Sequence, residues 1–489
     1  NSVAGNTVLG ESALDASVSG GNNTAVGNTA LTSLTSAANS TAVGFASGSA
    51  NTTGTITAVG SQALGSNQTG NNNTAVGISS LLNNTASNNT AIGHVSMSAN
   101  SSGTQNVALG TFALDANTTA DNNTAVGYQA LTANTSANDN TAVGHNCLAK
   151  NTTGTANTGV GRGVLVENTT ASNNTGVGYF ALVNNTTGGD NVAVGAQALD
   201  ANTTGSDNTA MGRSSLSSNS TGINNSAYGK DSLLNNTTAN NNTAVGESSL
   251  FTNTTGGNLV GIGQSALYAN TTASNNTAVG FSSLAANTTG DSNVAVGKSA
   301  LASCTTGAAN TALGLNAGFN LTTGSINTFL GISAGTANSP GGQITTSSNN
   351  FVLGDNNVTN LLCADTTISS SDSRDKADIT DFTQGLSWIN SLRPVTFRWD
   401  RRTWYGTDAE PYGTSDGSKK KTKINVGFLA QEVLAVEKAN GYGADNDNSL
   451  LTFLQEDEMA YMLKEGKLIP ILVNAIKELS AKVTALEAG

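Results

Sequence analysis

The chain has 489 residues, with 20 Lys+Arg against 32 Asp+Glu and a formal net charge of −12. This thin acidic balance argues against a nucleic-acid partner, and no stretch reaches the roughly 18–20 apolar residues of a membrane helix. Residues 1–370 hold 5 of the Lys+Arg and 14 of the Asp+Glu, whereas 371–489 hold 15 and 18 and all three tryptophans. A nearly uncharged Asn/Thr/Gly/Ala/Ser polymer therefore precedes a segment of ordinary globular composition.

In the first part a glycine recurs twenty times from Gly10 to Gly331, with 17 of 19 intervals equal to 17 residues and two equal to 16. The consensus is N-T-A-V-G-x-x-A-L-x-x-N-T-T-G-x-N, as in Asn123-Thr124-Ala125-Val126-Gly127 followed by Leu131 and Asn134. A fixed period of this size means stacked units that bury a shared core. The residue before the glycine is apolar (Val26, Val43, Ile92, Leu109), and the fourth after it is leucine in 16 of 20 coils. Both are expected to point inward. Met97, Gly48, Gly318 and Gly335 are the exceptions at the leucine position.

Seventeen residues are too few for a helix pair, N-T-T-G punctuates each coil, and Thr and Val favour strands. No proline precedes Pro340, which suits a parallel ladder. Asparagine at a fixed turn position is expected to adopt left-handed geometry and to bond to its copies in neighbouring coils. Residues 1–345 thus read as a mainly β, parallel β-solenoid or β-roll of about 20 coils, a rod on the order of 100 Å at one strand spacing per coil. Residues 346–370 read as a β-rich stalk, because Phe351-Val352-Leu353-Gly354 echoes the repeat out of phase. The many N-x-T triplets read as turn asparagines rather than glycosylation acceptors. His94 and His145 are expected on the surface. Cys147, Cys304 and Cys363 form neither a metal site nor a disulfide framework and read as packed free thiols. No cofactor or metal is expected. The chain begins at Asn1, which suggests a removed leader or a fragment of a longer protein.

The phrases Asn73-Thr74-Ala75-Val76-Gly77 and Asn191-Val192-Ala193-Val194-Gly195 resemble the N-S-V-A-I-G repeat of trimeric autotransporter adhesin heads, which are β-rolls packed three to a bundle. Residues 371–489 carry Ser371-Asp372-Ser373-Arg374-Asp375-Lys376, then Gly385-Leu386, Leu392-Arg393-Pro394-Val395-Thr396-Phe397-Arg398-Trp399, and Gly427-Phe428-Leu429-Ala430-Gln431-Glu432-Val433. This order resembles the intramolecular chaperone domain of endosialidases and other phage tail fibres and spikes. The resemblance implies a small α+β domain that cuts its own chain at Ser370–Ser371. Ser371 would be the nucleophile and Lys376 the assisting base, with Asp372 and Arg374 holding the loop. A serine hydroxyl needs such a base, and lysine serves only with a lowered pKa. Ile469, Leu472, Ile476, Leu479, Val483 and Leu486 alternate by three and four residues, a heptad seam with Pro470 in the first turn. That seam fits either a trimeric coiled coil or one helix packed on its own domain.

These features imply a homotrimeric tail fibre or spike, on a virion or a cell surface, that attaches to a host receptor, a glycan being the expected kind. A trimeric surface adhesin is one alternative, an ice- or glycan-binding solenoid using its Thr rows another, and a depolymerase a third.

Overall fold

The computed structural model describes residues 3–358, 379–405, 413–444, 448–454 and 461–488. Contacts divide the chain into two compact units, residues 1–329 with 345–351, and residues 330–344 with 352–489.

The first unit is a parallel β-solenoid. Twenty short strands, from β1 (Thr7–Leu9) to β20 (Thr328–Leu330), each fall on the residues before a marker glycine, and β21 (Phe351–Leu353) joins the same sheet. Pairing is in register, coil on coil: Thr124, Ala125 and Val126 face Thr141, Ala142 and Val143. Gly144 N donates to Val126 O at 2.7 Å and Thr124 N to Asn140 O at 2.9 Å, so each coil satisfies its neighbours' backbone groups. The last coil is longer, with Asn350 N donating to Asn327 Oδ1 across 23 residues. Marker glycines stack directly: Gly144 has φ +145°, and a Cβ there would stand 2.1 Å from Gly161 O. That approach excludes every other residue.

The valine column corrects the sequence reading. Alternation along T-A-V sends the central residue inward and its neighbours outward. Ala25, Ala42 and Ala125 are fully buried, while Val43, Ile92, Leu109 and Val143 are exposed. No residue before a marker glycine is buried in any of the twenty coils. Leucine fills most of the coil and leaves the inward strand position to alanine or glycine in most coils: Leu31, Leu64 and Leu131 are fully buried as expected.

Those leucines are left-handed, with φ 52° at Leu131. The conformation costs about 1–2 kcal/mol, and burying leucine returns about 1.5–3 kcal/mol, so packing wins. The exceptions follow the same logic. Gly48 and Gly318 keep positive φ without a side chain, and the vacated space is taken by Ile56 and Phe329, whose atoms lie 2.8 Å from where their Cβ atoms would be.

The asparagine expectation divides between different positions. Left-handed geometry belongs to Asn22, Asn88, Asn122 and their equivalents. The stacking belongs to two other columns, both fully buried. In one, Asn140 Oδ1 accepts from Asn157 N at 3.0 Å and Asn140 Nδ2 donates to Gly154 O at 3.0 Å. In the other, unbroken from Asn51 to Asn287, side chains bond to each other: Asn151 Nδ2 donates to Asn134 Oδ1 at 3.1 Å and to Gly154 O at 2.9 Å. The first column tolerates Ser40, Ile56 and Leu259, because its acceptor meets a backbone N–H whatever side chain follows. The second needs asparagine at every step. Where Cys304 replaces it, Asn287 Oδ1 is left without a partner.

The second unit contains α1 (Leu386–Ser391), β22 (Val395–Phe397), β23 (Asn425–Gly427), α2 (Ala430–Ala439), β24 (Thr452–Leu454), β25 (Tyr461–Leu463) and α3 (Leu468–Glu487). β22 pairs antiparallel with β23, and β24 with β25. Its core joins Trp388, Val433, Leu451, Leu468 and Ile471, flanked by Phe382, Phe428 and Tyr442. Trp388 meets Phe382 and Tyr442 edge-on at 6.1 and 5.9 Å.

Candidate functional site

Ser370, Ser371 and Lys376 lie outside the described residues, as do Asp372, Arg374 and Cys363. The rest of the C-terminal motif falls on elements that pack together. Gly385 caps α1 where α3 passes closest: a Cβ there would stand 2.2 Å from Glu478 Oε1 and 3.0 Å from Ala475 N. Asn474 Nδ2 on α3 donates to Phe382 O at 2.6 Å, and Leu386 N donates to Glu478 Oε2 at 3.3 Å. The chain segment entering α1 is therefore held by polar side chains of α3. Pro394 and Val395 lead into β22, and Gly427 and Phe428 lead from β23 into α2, which brings the two motif halves side by side.

Two carboxylates were missed by sequence reasoning. Glu432, within the motif, takes both Arg393 Nε, at 3.1 Å, and Arg393 Nη2. The hydrogen bonds from Arg393 hold its carboxyl below the usual range, and Glu432 raises the guanidinium in turn. Both groups are exposed, so this fork orients α2 more than it stabilises the fold. Glu437 is fully buried and accepts from Leu450 N at 2.7 Å, Leu451 N at 2.6 Å and Thr452 N at 3.2 Å. Its position four residues after buried Val433 was the available signal, since a charge there must find donors.

α3 uses two separate stripes. Leu468, Ile471 and Ala475 pack inward. The heptad seam stays exposed, from Leu472 at 43% to Ile476 at 66% and Leu486 at 82%. Packing on its own domain thus does not consume the seam.

On the rod, His94 and His145 are exposed as expected. Cys147 and Cys304 are buried free thiols, pushed up to about 12 and about 11 by burial. In the threonine corners the first hydroxyl is spent within the rod, Thr152 Oγ1 donating to Thr169 O at 3.0 Å, while Thr153 beside it is exposed. Among the described residues no cluster of His, Cys, Asp and Glu could hold a metal ion, and no helix is long and apolar enough to cross a membrane.

The parallel β-solenoid, together with the family match that follows, fits a tail-spike-like protein with a C-terminal chaperone domain. Residues 371–442 match the family model described as the chaperone of endosialidase. No curated protein matches the chain.

Proposed function

We propose that this chain is the protomer of a homotrimeric viral tail fibre or spike for host-surface attachment, assembled by residues 371–489 and then released from them by self-cleavage at Ser370–Ser371. One observation carries the reading. The residue before the marker glycine is uncharged in all twenty coils and buried in none, which leaves an apolar stripe along the whole rod. Such a stripe calls for a protein partner. Copies of the same chain repeat it at the same spacing, and three stripes can meet around one axis. The free seam of α3 supports the same stoichiometry from the other end, and residues 346–370 would join rod to chaperone.

The chaperone answers a kinetic hazard. Interchangeable coils let three chains pair out of register. A C-terminal unit that associates first aligns them, and its removal leaves the fibre kinetically trapped. In the cut, Ser371 Oγ attacks the carbonyl carbon of Ser370 while Lys376, neutral, takes the hydroxyl proton. The C–N bond breaks as Lys376 returns that proton to the departing Ser371 nitrogen, so the acyl group passes from nitrogen to oxygen, and water then hydrolyses the ester.

The test is the mass of the purified chain, boiled and unboiled, beside Ser371→Ala. The expected result is a detergent-resistant trimer cut before Ser371 in the parent alone. A soluble monomer would overturn the fibre reading, whereas an uncut trimer would overturn only the assignment of Ser371 and Lys376.

A further inference from the structure

The row after the marker glycines differs from the row before them, because its character changes along the rod. Over six successive coils this row and its neighbour gather rings. His94 meets Phe112 edge-on at 5.6 Å, Phe112 meets Tyr128 edge-on at 6.3 Å, and Tyr128 stacks on His145 at 5.4 Å. One coil further, Arg162 lies over two rings of the coil after its own, Tyr179 at 5.7 Å and Phe180 at 5.5 Å, and those rings are 4.2 Å apart. Gly163 makes room for this cluster, since a Cβ there would stand 2.3 Å from the Phe180 ring. His94, Tyr128, His145, Arg162 and Tyr179 are all exposed.

Symmetry places this strip on the outside of a trimer. In an in-register three-fold bundle, a residue near the axis meets its own copies at the same height. The uncharged row before the glycine suits that place. The row after it carries Arg162, Arg213, Lys230 and Glu247, each of which would there face its own like charge.

We infer that this strip binds a linear polysaccharide lying along the coil axis, with an acidic sugar at the level of Arg162. The inference rests on the attachment reading and assigns its site. Pyranose rings present apolar C–H faces and a polar rim. Aromatic side chains at intervals of 5.4–6.3 Å offer successive apolar contacts, with imidazole and phenol groups for the hydroxyls. Arg162 has no ion pair among the described residues and presents a planar fork suited to a carboxylate. The strip is long and one or two side chains wide, which fits an extended chain rather than a globular partner.

The experiment is calorimetric titration of the full chain with hexamannuronate and with cellohexaose, alongside binding to host cells. Tyr128→Ala/Tyr179→Ala is expected to bind hexamannuronate at least about tenfold more weakly, since two apolar ring contacts are lost. Arg162→Gln should abolish the preference for hexamannuronate over cellohexaose. Phe251→Ala/Tyr268→Ala, which removes a stacked pair from another row (5.1 Å, interplanar 6°), should change neither. Parent-like affinity in the tyrosine variant, its conversion to monomers, or a parent that binds neither hexasaccharide overturns the inference. If that variant still binds cells like the parent, attachment survives and this site does not. If the parent binds no cells, the attachment reading itself fails.

Discussion

Cys147 occupies a place where most coils carry alanine or serine, and the coil above it compensates. Gly159 stands where Ala142 stands one coil earlier, and its φ is ordinary, so only space forbids a side chain. A Cβ at Gly159 would lie 2.4 Å from Cys147 Sγ, against Val164 and Leu148 at 3.4 and 3.5 Å. Carbon contacts relax at about 3.5–4.0 Å, so Gly159→Ala forces the thiol aside at about 1–3 kcal/mol. Cys147→Ala alone leaves a small void costing about 1 kcal/mol. Together they recreate the pair Ala130 and Ala142 of the previous coils, and the glycine replacement adds about 0.4–1 kcal/mol through the unfolded chain. The double variant should match or exceed the parent, with a coupling of about 2–4 kcal/mol, the sum of the two relieved costs. Urea midpoints, with hydrogen exchange of the coils spanning 142–176, measure it. A double variant no more stable than the sum of the singles, with coupling under about 0.5 kcal/mol, refutes volume exchange between these positions.

Asn185→Ala should cost about 2–4 kcal/mol, because it strands Asn168 Oδ1 and one Asn202 N–H in a buried column; local hydrogen exchange no faster than in the parent would contradict this. Cys147 and Cys304 should resist iodoacetamide at pH 8 in the folded rod. The fold retains protons that unfolded thiols lose above their ordinary 9.0, so this share of stability is full below that pH and falls as pH rises toward 11 and 12. A midpoint rising over that range in the parent, relative to a Cys147→Ala/Cys304→Ala variant, would show the sign to be wrong. Ile476→Glu/Leu479→Glu should abolish trimers in light scattering while near-UV dichroism of the Trp388 cluster is kept, since neither residue belongs to the inward stripe; trimers that persist would remove α3 from the assembly.

The repeat, its strand and its leucine core were legible because period and hydrophobicity agree there. The valine column was misread because hydrophobicity alone does not say which face is inside. Alternation along T-A-V was the better guide, since Ala125 is the small residue that the narrow coil can hold. The exceptions at the leucine position carried a message that composition hides: Gly48 and Gly318 keep the residue suited to left-handed backbone, while Ile56 and Phe329 supply the volume from other positions. The C-terminal motif was legible as an ordered series of short phrases. The fork from Arg393 to Glu432 was not, because it joins residues 39 apart, and the nest around Glu437 depends on a loop whose approach no local pattern announces.

The asparagine column from Asn51 to Asn287 has a consequence for how such a protein changes length. Every side chain in it from Asn67 to Asn270 donates to the coil before and accepts from the coil after, so each interior step presents the same two faces. Duplicating or deleting one 17-residue unit there would rejoin matching faces and leave no new orphaned group. The ends lack this freedom, since Leu34 precedes the column and Cys304 and Leu321 follow it. Reach can therefore evolve in whole steps of about 4.8 Å, while both terminal assemblies keep their own sequence.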